Sequence, residues 1–133
     1  MKTNLKKQNL HSTYQRIKKN CCEEWQKEDC FLKWHAEQLE KQEQLCWYCH
    51  LPGDTIHYYQ RHFTKGHGRG FFLEVERKDS TKPYCGGNCV LACYPCNNAK
   101  SDVFTYEEFL KIGKAIHEAK TWNIPPWSQP NND

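Results

Sequence analysis

Between about Cys22 and Gln44 apolar residues recur at helical spacing: Trp25, Leu32, Trp34 and Leu39, with Leu45 just beyond, are separated by Glu and Lys. The spacing predicts an amphipathic helix whose apolar face is buried against something else. Pro52-Gly53-Asp54 breaks the pattern with turn chemistry, and His57 to Gly70, rich in His and Gly, reads as an irregular or hairpin-like segment. Phe71 to Glu76 alternates after its first residue and predicts a short strand, which Asp79-Ser80-Thr81-Lys82-Pro83 closes. Asn88 to Leu91 suits a second short strand or the entry to a helix. Cys93 to Lys100 suits a helix with Pro95 in its first turn. Thr105-Tyr106-Glu107-Glu108 is a capping box, and Phe109, Leu110, Ile112 and Ile116 behind it predict a last helix to about Thr121. The tail is expected to be ordered only where Trp122 or Trp127 docks. No internal repeat is visible.

A chain of 133 residues that is 38% hydrophobic has too little apolar side chain to rest on a large core, so extra staples are expected. Nine cysteines are the obvious source. The first twenty residues have no apolar signal segment, so the cysteines read as thiolates for metal in a reducing compartment rather than as disulfides. No run approaches the roughly 18 apolar residues that cross a bilayer, so no membrane partner is expected. Six of the 19 Lys and Arg fall in residues 1–20, which carry no acid. That stretch is a basic arm, able to hold phosphates through counterion release or equally to be a solvated terminus.

Cys46-Trp-Tyr-Cys49 and Cys93-Tyr-Pro-Cys96 are two CxxC knuckles. Two residues between cysteines let both sulfurs face one ion about 2.3 Å away, so the pair points to a structural zinc held by Cys46, Cys49, Cys93 and Cys96. The long interval between them suggests that the ion clamps the ends of an inserted functional unit. Cys46 to His50 also matches a haem-attachment motif, but that reading leaves the second knuckle unexplained and needs export. A thioredoxin-like role lacks its parallel βαβ surroundings. Cys21, Cys22, Cys30, Cys85 and Cys89 are surplus, read as small buried hydrophobes and incidental thiols.

The run Leu73-Glu-Val-Glu-Arg-Lys-Asp79, then Tyr84, Asn88, and Cys89 to Asp102 with its CxxCNxxK ending (Cys93, Cys96, Asn97, Lys100), resembles the HNH endonucleases of the zinc-bound, phage- and bacterium-associated kind. The resemblance covers roughly residues 45–102. It implies an α+β fold: a small ββα-metal finger stapled by the four-cysteine zinc site, flanked by N- and C-terminal helices. The implied layout is a basic arm over 1–20, the nuclease domain over 21–122 and a flexible tail over 123–133. It further implies a cytoplasmic, bacterial or phage-encoded enzyme that cuts DNA with Mg²⁺ or Mn²⁺. Whether two copies pair on DNA stays open.

By family position Glu76 and Asn97 bind the catalytic cation, Arg77 stands where a histidine base is usual, and Asn88 holds the loop that orients the base. Lys78 and Lys100 join Arg77 as nucleic-acid contacts. Carboxylate and amide oxygens are hard donors suited to Mg²⁺ or Mn²⁺, whereas four cysteines leave zinc no exchangeable position. Arg77 is the departure, because a guanidinium accepts no proton near neutrality. It can clamp the phosphate, leaving His57, His62, His67 or Tyr84 as substitute bases, or metal-bound water can supply hydroxide. Otherwise the chain is a catalytically inactive zinc module that binds nucleic acid. Asp79 is read first as a turn-former. Arg61, Lys65 and Arg69 among Tyr58, Tyr59 and Phe63 suggest a weak basic and aromatic nucleic-acid-facing stretch.

Overall fold

In a computed structural model of the chain, residues 7–55, 58–59 and 68–122 are described. His57, His62, His67, Arg61, Phe63, Lys65 and the tail from residue 123 lie outside them. The regular elements are helices α1 (Leu10–Ile17), α2 (Glu28–Lys41), α3 (Tyr94–Lys100) and α4 (Tyr106–Thr121), and strands β1 (Glu74–Arg77) and β2 (Cys89–Ala92). No helix among the described residues is long and apolar enough to cross a membrane.

The N-terminal stretch holds a docked helix. Asn9 caps α1 by accepting from the Ser12 amide, and Tyr14 and Ile17, one turn apart, are buried. The Tyr14 hydroxyl donates to the Trp25 carbonyl at 2.7 Å. The helix expected from Cys22 is interrupted: Trp25 sits in a 3-10 turn, Glu23–Gln26, and Lys27 is extended before α2 begins. That break lets Trp25 enter an aromatic cluster, 5.2 Å from Phe31 and 4.8 Å from Trp34, with Tyr14 5.6 Å from Phe31. Phe31 and His35 are the most buried residues of α2, while Leu32, Trp34 and Leu39 flank them at partial burial. Glu43 and Gln44 take left-handed conformations that end the helix and turn the chain into the first knuckle.

β1 and β2 pair antiparallel with Glu74 opposite Ala92 and Arg77 opposite Cys89. The outer edge of β2 is closed by a side chain. Gln42 donates to the Leu91 carbonyl at 2.8 Å and accepts from the Leu91 amide at 3.1 Å, tying the end of α2 to the sheet. α3 follows β2 directly, with Cys93 at its N-cap and Pro95 in its first turn. α4 starts at the expected capping box, Thr105 and Glu108 each bonding the other's amide.

One disulfide corrects the reading of all nine cysteines as thiols: Cys22 is joined to Cys85. The two segments already run side by side, since Cys22 N–H donates to the Tyr84 carbonyl and Tyr84 N–H to the Asn20 carbonyl, both at 2.9 Å. Their Cα atoms stand 5.4 Å apart, within a disulfide's ordinary span.

α4 lies directly on the first knuckle. A Cβ at Gly113 would meet the Tyr48 carbonyl oxygen at 2.5 Å and carbon at 2.6 Å, both backbone. An alanine in mid-helix normally stabilises by roughly 0.5–1 kcal/mol over glycine. Here overpacking reverses the sign, and Gly113→Ala is expected to destabilise by about 1–3 kcal/mol, read as a lower urea midpoint. A midpoint at or above wild type would refute this close approach.

Candidate active site

The knuckles meet as their spacing predicts. The sulfurs of Cys46, Cys49, Cys93 and Cys96 all lie within 4.8 Å of one another, fully buried, and those of Cys49 and Cys93 are 3.7 Å apart. Tetrahedral zinc with sulfurs at about 2.3 Å requires sulfur–sulfur edges of about 3.8 Å, so the cluster fits. Hydrogen bonds from the neighbouring thiols draw the Cys46 thiol far down, and hydrogen bonding to Cys46 drives those of Cys93 and Cys96 up. Four sulfurs this close cannot all be thiolates without a cation among them. The donor set fits a soft divalent ion such as zinc, which would also remove the charge problem.

The cluster fixes where α3 begins, and α3 meets β1 rung by rung. Asn97 and Lys100, three residues apart on one helix face, reach Glu74 and Glu76, two residues apart on one strand face. The Asn97 side-chain amide donates to Glu74 Oε1 at 2.9 Å. Lys100 Nζ lies 2.9 Å from Glu76 Oε1 and donates to the Arg77 carbonyl at 3.1 Å. The Tyr48 hydroxyl donates to Glu76 Oε2 at 2.6 Å. Lys100 is 1% exposed and holds a buried carboxylate. Glu76 is 4% exposed with both oxygens engaged, and the carboxylate that touches Asn97 is Glu74, whose two oxygens are likewise engaged, by Arg69. Burial raises the Glu76 carboxyl above the ordinary range, against the lowering effect of Tyr48 and Lys100.

Glu74 and Asn97 line the floor of an open cleft of about 580 Å³, together with Arg16, Arg69, Arg77 and Tyr84. Arg69 donates to both Glu74 oxygens, at 2.9 and 2.6 Å, and lies over the Tyr94 ring. Arg77 donates to the Lys82 carbonyl at 3.2 Å, and its guanidinium packs 4.6 Å from the Tyr84 ring centre. Lys78, by contrast, turns to the other face, over Trp47 and Tyr106. Asn88 stitches the loop that carries Tyr84: its amide donates to the carbonyls of Asp79 and Pro83 at 3.0 and 3.1 Å, and its oxygen accepts from the Asp79 amide at 3.1 Å. Asp79 forms the turn, accepting from the Thr81 amide and hydroxyl, bonds that hold its carboxyl below the usual range.

For a hard cation the residues present are suitable. Glu74 supplies a carboxylate, and exchanging the Asn97 amide's nitrogen and oxygen turns Oδ1 to the same point. Glu74 was visible in the sequence as the residue two before Glu76 and hence on its strand face. Arg16 carried no local signal, because only the docking of α1 brings it to the cleft.

An antiparallel hairpin, a helix entered through a cysteine knuckle and a four-cysteine cluster behind them make a ββα-metal fold like that of the HNH endonucleases. Among solved structures, the chain is similar to the rare-cutting HNH restriction endonuclease PacI, which is described as exhibiting an extraordinary mechanism of DNA perturbation. The TM-score is 0.63 at 25% identity, over 90% of this chain and 84% of that one. No family model matches the chain, and no curated protein matches it significantly.

Two outcomes are expected of this scaffold. Purified protein should carry one equivalent of zinc by atomic absorption, and stripping it with a strong chelator should abolish the folded near-ultraviolet circular dichroism signal. Lys100→Met leaves Glu76 buried without its cation and should destabilise by about 3–5 kcal/mol in urea unfolding, with much of the loss recovered in Glu76→Gln/Lys100→Met. A single variant as stable as wild type would contradict the buried pair.

Proposed function

We propose that this protein is a metal-dependent endonuclease that hydrolyses DNA phosphodiesters in the cleft between β1 and α3. The observation that carries the reading is the contact of Asn97 with an acidic residue of β1 on the floor of an arginine-rimmed cleft. Its likeness to a restriction endonuclease supports DNA as the substrate. Mg²⁺ or Mn²⁺, held by Asn97 and a β1 carboxylate, would supply Lewis-acid stabilisation of the scissile phosphate. Glu74 is the carboxylate in contact, and Glu76, the family position, stands one rung away. Arg77 lines the cleft with its guanidinium and binds phosphate as a fixed positive charge. Tyr84 lines the same cleft and is the substitute base, or water-orienting group, that the described residues present there. Asn88 sets its position by stitching the loop. Of the other nucleic-acid contacts expected, Lys78 lies over the Trp47 and Tyr106 rings, outside the cleft lining.

A second reading, a zinc module that binds nucleic acid without cutting, is favoured by one observation: the usual base position carries Arg77. Supercoiled plasmid decides between them. Wild type with Mg²⁺ or Mn²⁺ should nick it, while Asn97→Ala and Tyr84→Phe should fall by at least about a hundredfold, the scale of general acid–base contributions, with zinc and fold retained. Binding in a gel without cutting under any divalent metal would favour the module. Glu74→Gln and the charge-balanced Glu76→Gln/Lys100→Met identify the ligand. Nicking lost only in the first assigns the cation to Glu74; nicking lost only in the second assigns it to Glu76.

A further inference from the structure

A second groove, of about 220 Å³, opens into the active-site cleft from the side of α1. It is lined by Lys7 and Thr13 from the N-terminal segment and by Gly70 to Val75 opposite, and it shares Arg16, Arg69 and Glu74 with the cleft. The two form one trough, with the N-terminal segment as a wall and Glu74 near the middle.

That wall is fixed. Gln8 donates to the Leu73 carbonyl at 3.2 Å across the trough, Tyr14 and Ile17 are buried, and the Cys22–Cys85 disulfide bolts the segment to the loop bearing Tyr84. Arg16 lies between the two buried positions of α1 yet is exposed, and it projects into both grooves. Arg69 spends its guanidinium on Glu74, and Arg77, which gives one N–H to the Lys82 carbonyl, stands at the scissile position. No carboxylate pairs with Arg16 or Lys7 among the described residues. Unneutralised cations along a groove that ends at a nuclease site are the electrostatic footprint of a polyphosphate backbone.

We propose that α1 is the second wall of a strand-binding trough, in which Arg16, with Lys7 at the far end, holds the phosphodiester backbone flanking the scissile phosphate. The inference rests on the nuclease reading and adds two positioning residues to it. These act on substrate binding and leave the reacting atoms untouched.

The test is the salt dependence of binding to a fluorescent 20-base-pair duplex of mixed sequence, followed by anisotropy in Ca²⁺ for wild type, Arg16→Ala, Lys7→Ala/Arg16→Ala and Arg16→Lys. Lys111→Ala, which removes an exposed charge of α4 outside the trough, is the control. Each phosphate contact adds nearly one unit to the slope of log affinity against log salt, so Arg16→Ala should lower the slope by about one and the double variant by about two. Arg16→Lys and Lys111→Ala should keep the wild-type slope. An unchanged slope in Arg16→Ala, or an equal loss in Lys111→Ala, overturns the trough while leaving the nuclease reading in place. A wild type that fails to bind the duplex removes that reading and this one with it. Circular dichroism and zinc content verify that each variant is folded.

Discussion

Four sulfurs converging on one point determine where everything else in this protein can be. Cys46 and Cys49 lie in a tight turn closed by the Cys46 amide on the Leu51 carbonyl and the His50 amide on the Cys46 carbonyl. Cys93 and Cys96 lie at the N-cap and in the first turn of α3. Joining the two turns fixes the start of a helix only seven residues long, which alone in water would be far too short to persist. α4 adds to the clamp by resting Gly113 on the Tyr48 backbone and packing Phe109 edge-on against the Tyr48 ring, 5.0 Å between centres. In a chain with so small an apolar core, this cluster takes over the role that packing has in a larger domain.

With the helix start fixed, its register against β1 is set by pairs of polar side chains. The inner rung, Lys100 with Glu76 and Tyr48, is sealed from water, and the outer rung, Asn97 with Glu74, opens on the cleft. A buried ion pair is an inefficient way to gain stability, since desolvation cancels most of the attraction. It is an effective way to forbid other registers. Sliding α3 by one residue would leave a buried ammonium and a buried carboxylate unpartnered, each a penalty of several kcal/mol. The inner rung thus holds the outer one in place, where small displacements matter most.

Local chemistry made much of this legible in advance. The capping box at Thr105, the Pro95 entry to α3, the first strand and the two knuckles each depend on residues within a few positions, and each is found within a residue or three of its expected place; of the two readings open for Asn88 to Leu91, the strand is the one found. What resisted reading depends on partners distant in the chain. The Cys22–Cys85 bond spans 63 residues. Gln42 reaches Leu91 across 49 residues, and nothing in a polar helix end announces that it will serve as a strand's neighbour. The break at Lys27 follows from the aromatic cluster around Trp25, not from any helix-breaking residue. For the candidate site, local pattern put Asn97 near a β1 acid, while which of two same-face glutamates it touches depends on how far α3 is rotated, and the buried side chain of Lys100 sets that.

The disulfide and the N-terminal helix bear on the site through the same loop. Tyr84 is held from one side by Asn88, which bonds the carbonyl of Pro83, and from the other by its backbone exchange with Asn20 and Cys22. Residues 20–22 continue from α1 through a short 3-10 turn, so the wall bearing Arg16 and the loop bearing Tyr84 are parts of one mechanical unit. β1 and α3 form the opposing unit, held by the sulfur cluster and the inner rung. The cleft lies between two separately stapled bodies, one held at the four-cysteine cluster and one by a disulfide. Its width therefore depends on how Tyr14, Ile17 and Trp25 pack as well as on the Gln8–Leu73 bond across it. A mutation in that aromatic cluster acts on the site by moving a wall.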